Sequence, residues 1–281
     1  LTNYISALNY PNLENKLFKN FWPATLHIIG KDILRFHAIY WPAFLLAADI
    51  KPPNRVYGHG WILSDKEKMS KSKGNILDPL EMIKIYGLDQ LRYYLIKEVS
   101  FGNDGNISNE NIENCINSDL ANNYGNFCQR TFSFAEKNCK GMVPSDIDFN
   151  SKDLKILNSF SNNIKKIRSL MDNQQLNEYV KFIIDKSSNA NKYFNDEAPW
   201  NKKDDKKRLN TIVYVSLEII RKISILLLPV IPYSANKALT SLSLNTKTLK
   251  LSSITDHLIN KPGTKIINQG ILFQKIEKNN D

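Results

Sequence analysis

The sequence predicts a two-part fold, α/β plus all-α: a short parallel sheet with its crossover helix, followed by a helical bundle. Three observations carry this. Residues 25–63 read strand, helix, strand, and beyond residue 106 apolar residues recur only at helical spacing. Charge divides along the same line. Residues 1–115 hold 13 Lys and Arg against 12 Asp and Glu, residues 116–281 hold 25 against 16, and the net +10 is therefore split as +1 and +9. A basic half beside a neutral one points to a polyanion such as nucleic acid as partner of the second. Compositional drift is the plainer alternative, since Lys outnumbers Arg 31 to 7 and Asn reaches 34.

At 281 residues, 42% hydrophobic and 23% charged, the chain can bury one large core or two ordinary ones, and wholesale disorder is excluded. No apolar run reaches the roughly 18 residues of a membrane span; the longest, 223–231, is broken by Pro229. Cys115, Cys128 and Cys139 show no CxxC spacing, so neither a disulfide framework nor a zinc site is expected, and a reducing cytoplasm is the expected location. The chain opens at Leu1, inside a patterned segment and without an initiator Met, as expected of a sequence whose beginning lies upstream.

Taken in order, Thr25 to Ile29 is a β-prone run closed by Gly30. Ile33, Leu34, His37, Ile39, Tyr40, Phe44 and Leu45 then follow a helical period until Pro52-Pro53. A second β-prone run, Arg55 to Leu63, contains Gly58 and Gly60. Strand, helix and strand within about 40 residues predict a βαβ unit. Residues 64–75 are polar, lysine-rich and aperiodic, hence an exposed loop. Asp78-Pro79 starts a helix with Glu81 near its positive end, and Gly87-Leu88-Asp89 starts another through Leu91, Tyr94, Leu95 and Val99. Residues 101–106 form a glycine-rich break. Ile116, Leu120, Tyr124, Phe127, Thr131 and Phe134, spaced 4, 4, 3, 4, 3, predict an amphipathic helix. Helices are also expected over 154–171, 176–194, 209–228 and 231–242, with linkers at 141–153 and 199–207 and a polar tail after Leu244.

The most informative stretch is Lys68-Met69-Ser70-Lys71-Ser72. Two lysines three apart, separated by small residues, put ammonium groups on one loop that can close over phosphates and stabilise developing negative charge. In isolation a solvated lysine-rich turn is the ordinary explanation. Its position after a strand holding His59-Gly60-Trp61 and before a helix changes that. KMSKS in this setting resembles the signature loop of class I aminoacyl-tRNA synthetases. IIGKDILRFHAIYWPAFLLAAD (28–49), YGHGWILSDKEKMSKSKGNILDP (57–79) and YGLDQLRYYL (86–95) narrow the resemblance to the methionyl-tRNA synthetase family. ILFQKI (271–276) is similar to the segment closing that family's core, so the resemblance spans essentially the whole chain.

The resemblance implies a class I Rossmann-type parallel-sheet catalytic part over 1–115, with the KMSKS loop and connecting helices, and an α-helical anticodon-binding bundle with its tail over 116–281. It implies a methionine–tRNA ligase that forms methionyl-adenylate from methionine and ATP with Mg²⁺ and transfers the methionyl group to tRNA(Met). Lys71, assisted by Lys68, would contact the phosphates. Gly30 and Asp32 would meet the nucleotide at the strand end, Asp32 holding the ribose hydroxyls, though a helix cap alone also explains an Asp there. His59, Gly60, Trp61 and Ile62 would line the adenine side, with Met69, Ser70 and Ser72 completing the ATP-binding loop. Tyr4, Ile33 and His37 match the family's methionine pocket, where a thioether needs apolar and aromatic walls; a buried core histidine is the plainer account of His37. In GNFCQR, Asn126 and Arg130 stand at i and i+4, about 40° apart on a helix, and with Trp200 after Pro199 match the residues that contact the CAU anticodon. Surface polar residues and a half-buried tryptophan are the ordinary alternatives.

The sequence departs from the family in containing neither a HIGH motif nor the inserted connective domain, so no zinc is expected. Its end soon after the core-closing segment leads to the expectation of a monomer. Two rivals stay open: a class I synthetase for leucine, isoleucine or valine, against which Gly30-Lys31-Asp32-Ile33 and Pro199-Trp200 argue, and a tRNA-binding module without catalysis.

Overall fold

The computed structural model describes residues 1–64, 67–69, 77–98, 100 and 102–277. The chain forms two compact units, Leu1–Ile76 with Val99–Ile107, and Leu77–Glu98 with Ser108–Asp281.

The first unit begins with two short helices, α1 (Asn3–Ser6) and α2 (Lys16–Phe21), the second capped by Asn15, whose side chain accepts from the Leu17 N–H. Their apolar residues gather with the crossover into one cluster of Ile5, Trp22, Trp41, Leu45 and Ile50, against which Tyr10 and Phe18 pack. β1 (His27–Gly30) pairs in parallel with β2 (Val56–His59), His27 opposite Val56 and Gly30 opposite His59. Between them run a 3₁₀ turn over Lys31–Ile33, a π-helical turn over Phe36–Tyr40 and α3 (Trp41–Ala47). The expected βαβ unit is present, with its crossover wound less regularly than the helical period suggested.

The second β-prone run is not one strand. Its first part ends at His59, and at the next residue a Cβ on Gly60 would lie 2.1 Å from the Asn103 carbonyl carbon and oxygen; only glycine lets backbone pass so close. The chain resumes as β3 (Ile62–Ser64) in a separate sheet, flanked by β4 (Glu67–Lys68), antiparallel, and β5 (Gly105–Ile107), parallel. Two expectations change with it. The polar segment after Leu63 opens with a strand pair, and the glycine-rich stretch at 101–106 runs into a strand. Neither carries β-propensity; long-range pairing supplies it.

The second unit is helical. α4 (Pro79–Tyr86) starts as expected, with Asp78 Oδ1 accepting from the Leu80 N–H at 2.8 Å. Gly87, at φ +93°, ends it before α5 (Leu88–Glu98). α6 (Asn109–Cys115) leads through a π-helical stretch, Ile116–Gly125, into α7 (Asn126–Asn138). The expected helix over 154–171 is two, α8 (Ser151–Ser161) and α9 (Ile164–Asp172), broken where Asn163 Nδ2 turns back to the Ser159 carbonyl at 2.9 Å. α10 (Leu176–Glu197), α11 (Lys206–Leu227) and α12 (Pro232–Ser241) complete it.

α11 is the centre: every residue from Thr211 to Leu227 is buried, Glu218, Arg221 and Lys222 included. Their donors are satisfied by the carbonyls of Ser253, Ile254 and Asp256, while Glu218 Oε1 accepts from the Asn260 N–H. The tail after Leu244 is therefore part of the core, with Ile254, Ile266 and Phe273 buried, although its composition is polar. A second charged clasp ties three helix ends. Arg208 donates to both Asp153 oxygens, at 2.6 and 3.0 Å, and to Glu197 at 2.7 Å, and Tyr193 donates to Asp153 at 2.6 Å. Burial alone would raise the Asp153 carboxyl, but these donors hold it below the usual carboxylate range. Among the described residues no helix is long and apolar enough to cross a membrane.

Candidate functional site

Gly30 and His59 face each other at the carboxyl ends of the parallel pair, where ligands bind in open α/β sheets. A Cβ on Gly30 would stand 2.5 Å from Asp32 Oδ1, so the carboxylate turns back over the strand end. Lys31 Nζ reaches both Asp104 oxygens at 2.6 and 2.7 Å and stands 4.3 Å from the centre of the Trp61 ring. Asp104 Oδ1 also accepts from the Trp61 N–H at 2.8 Å, and the Trp61 carbonyl accepts from Gly105 at 2.8 Å. Lys31 and the Trp61 amide hold the Asp104 carboxyl below its ordinary value. His59 Nδ1, 2.9 Å from the Gly60 carbonyl, carries the ring proton, since a carbonyl only accepts. The backbone at 103–104 by itself requires a glycine at 60. The backbone of Lys68 pairs with Leu63 and Met69 is half-buried. Ser70, Lys71 and Ser72 lie outside the described residues.

The three residues of the expected methionine pocket come together. Tyr4 Oη lies 3.0 Å from His37 Nε2, and His37 Nδ1 lies 3.0 Å from the Ile33 carbonyl. Nδ1 therefore carries a proton, and in the neutral ring Nε2 accepts from the Tyr4 hydroxyl. His37 is 4% exposed, whereas Tyr4 and Ile33 are 37% and 38% exposed. Around them stand rings the sequence reading did not single out. His27 is 4.5 Å from Tyr4 between centroids, Trp41 is 6.1 Å from Tyr4, and Trp22 is 6.1 Å from both His27 and Trp41. His27 Nδ1 and Trp41 Nε1 are buried without a hydrogen-bond partner among the described residues. Burial, with His37 nearby, lowers the His27 pKa. Trp41 stands four residues after His37, a helical spacing that pointed to it.

In the second unit the fold brings Arg130 and Trp200 to one buried ring, Phe194, while Asn126 stands one turn before Arg130 on α7, beside Asn191. The Arg130 guanidinium lies 5.4 Å from the centre of Phe194, and Trp200 packs edge-on to Phe194 at 6.1 Å from the other direction in sequence. Arg130 Nη2 donates to Asn195 at 2.7 Å, and Asn126 Nδ2 approaches Asn191 at 3.5 Å. Asn191 itself is anchored on Asn123, donating to its backbone and side-chain oxygens at 3.1 Å. Asn191 and Asn195 thus repeat on α10 the i, i+4 spacing of their partners on α7, a signal present in the sequence. Ala198 closes α10 in the left-handed region at φ +40° and sends the chain into the turn Pro199–Asn201. That conformation costs an alanine on the order of 1 kcal/mol, and it leaves Trp200 41% exposed.

The parallel strand ends, the KMSKS segment following them and the helical bundle define a class I aminoacyl-tRNA synthetase architecture. The family model described as tRNA synthetases class I (M) matches residues 1–132, and the one described as the anticodon binding domain of methionyl tRNA ligase matches 143–281. The methionine–tRNA ligase of Rickettsia felis is 44% identical over 285 residues, covering 99% of this chain and 55% of that protein. That of Brucella suis is 47% identical over 244 residues, covering 86% and 47%. The Mycobacterium tuberculosis methionyl-tRNA synthetase in complex with methionyl-adenylate superposes with a TM-score of 0.92 at 39% identity, covering 97% of this chain and 54% of that one. The chain belongs to the methionyl-tRNA synthetase family. It spans about half the length of the relatives it matches.

Proposed function

We propose that the chain is the part of a cytoplasmic methionine–tRNA ligase that bears the KMSKS loop and reads the anticodon. The observation that supports this is that Arg130 and Trp200, 70 residues apart, both pack on Phe194, so two of the three proposed anticodon contacts lie side by side. In the reaction the methionine carboxylate attacks the α-phosphorus of ATP and pyrophosphate leaves. A hydroxyl of the tRNA terminal adenosine then takes the methionyl group and AMP departs. The first nucleophile is already an anion, so catalysis is positioning and charge stabilisation rather than proton removal.

The catalytic part is residues 1–115. Tyr4, Ile33 and His37 hold the methionine side chain, Asp32 takes the ribose hydroxyls, and Gly30 leaves room for that carboxylate. His59, Gly60, Trp61 and Ile62, with Met69, Ser70 and Ser72, enclose the nucleotide, and Lys68 and Lys71 face its phosphates. Mg²⁺ would enter on ATP's own phosphate oxygens, as part of the substrate.

The bundle over 116–281 is tested by binding. Trp200→Ala removes a stacking platform worth about 1–3 kcal/mol, and Arg130→Ala a base contact of similar size. Each is expected to weaken binding of a CAU stem-loop roughly tenfold or more while leaving a scrambled loop nearly unaffected. Equal losses for both loops would make these residues structural. A separate expectation concerns chemistry. Because the sequence contains no HIGH motif, the 281 residues alone should give little methionine-dependent ATP–pyrophosphate exchange, and robust exchange would refute that.

A further inference from the structure

We infer that the groove between α8 and α10 is a phosphate-binding site that holds the RNA phosphodiester backbone away from the anticodon bases, an inference that rests on the reading of the bundle as tRNA-binding. The groove has a volume of about 400 Å³, with Lys152 and Lys155 of α8 and Lys186 and Lys192 of α10 on its walls, and Asp196 and Glu197 as its acids. Glu197 is already committed: one oxygen takes Lys152 at 3.3 Å and the other takes Arg208 at 2.7 Å. Among the described residues no ion pair engages Lys155, Lys186 or Lys192. The groove therefore keeps a surplus of positive charge.

Lys186 shows what that surplus lacks. Its ammonium stands 5.0 Å from the centre of the Phe182 ring and 5.9 Å from Phe160, and Lys166 of α9 stands 5.5 Å from the same Phe182. Two ammonium groups are drawn to one aromatic ring and repel each other across it. Burial and Lys166 both lower the Lys186 pKa, against the opposing pull of Asp185. An anion beside Lys186 offsets its repulsion with Lys166 and the cost of its burial. Lysines supply point charges without the planar fork that reads carboxylates or base edges, so the site suits a backbone phosphate that positions RNA without specifying sequence. Lys186 and Asn191 are separated by about 140° around α10. The groove thus lies on a different side of the helix from the Asn191 and Asn195 that hold Asn126 and Arg130.

That separation makes the test clean. Binding of tRNA(Met), of CAU and scrambled stem-loops and of inorganic tripolyphosphate is measured across a salt series for the full chain, for Lys155→Gln with Lys186→Gln, and for the matching Arg pair. Each lost phosphate contact lowers the salt slope by about 0.7–0.9. The Gln pair is expected to lower the tRNA slope by about 1.5 while keeping the CAU-to-scrambled ratio, and the Arg pair is expected to keep the slope. A slope unchanged by the Gln pair overturns the proposal. So does weakened tripolyphosphate binding with an unchanged tRNA slope, which would assign the groove to free polyphosphates. So does an equal loss in the Arg pair, which would mark a folding defect. Trp200→Ala changes the ratio and not the slope, so failure of the anticodon reading and failure of the groove are separately visible.

Discussion

In an enzyme of the relatives' full length, Lys71→Ala is expected to slow methionyl-adenylate formation by roughly 10²–10³. The ammonium acts on charge that develops on the phosphates as pyrophosphate departs, so its effect falls on the transition state rather than on either bound substrate. Methionine KM should therefore change little, and turnover and turnover over KM should fall together. Pyrophosphate exchange with varied methionine and ATP measures both. A large rise in methionine KM at unchanged turnover would show that Lys71 shapes the pocket instead.

The second large effect is on stability. Arg208→Met strands the fully buried Asp153 carboxylate with only Tyr193 and the Asn150 amide as donors. Breaking one partner of a buried pair costs about 3–5 kcal/mol. The lower end applies because the Arg208 side chain keeps 15% of its surface exposed. The sign with pH follows from the carboxyls. Asp153 and Glu197 are both held below their ordinary values, against burial, by Arg208 and its neighbours. Their contribution is complete above the unfolded carboxylate value near 4 and is lost as pH falls through the lower folded values. Urea midpoints at pH 7 and near pH 3 should thus converge between wild type and Arg208→Met. Adding Asp153→Asn to the variant should recover part of the loss at pH 7, because no buried charge is left alone. A variant as stable as wild type at pH 7 would show that Arg208 contributes nothing net.

Local chemistry was the legible part. Asp78-Pro79 announced α4, Gly87 announced its end, and the alternation of β-prone and helical periods announced the parallel pair. The proposed methionine pocket of Tyr4, Ile33 and His37 and the proposed anticodon contacts Asn126, Arg130 and Trp200 came through family resemblance. The fold links Tyr4, His37 and the Ile33 carbonyl by hydrogen bonds and sets Arg130 and Trp200 on Phe194, with Asn126 on Asn191 instead. What escaped depends on partners far along the chain. β5 has no strand-forming residues of its own until Ile107, and Asp104 acquires its meaning only from Lys31 and Trp61, 73 and 43 positions earlier. The tail read as polar because its contribution is made by carbonyls, which every residue carries and no pattern distinguishes. Asn191 and Asn195 were visible as a spacing but had no partner until α7 was placed beside them.

The parallel pairing of β3 with β5 has a consequence for how the molecule can be divided. The chain leaves the first unit after β3 and β4, builds α4 and α5 within the second, and returns to lay down β5 before leaving again. No single cut separates the units. Truncation after residue 76 deprives β3 of its parallel neighbour, and truncation before residue 108 strips α4 and α5 from the bundle. An autonomous bundle would need residues 77–98 spliced directly to 108 onward. A protease that nicks the chain once between the two crossings leaves both products entangled by their strands and helices rather than released.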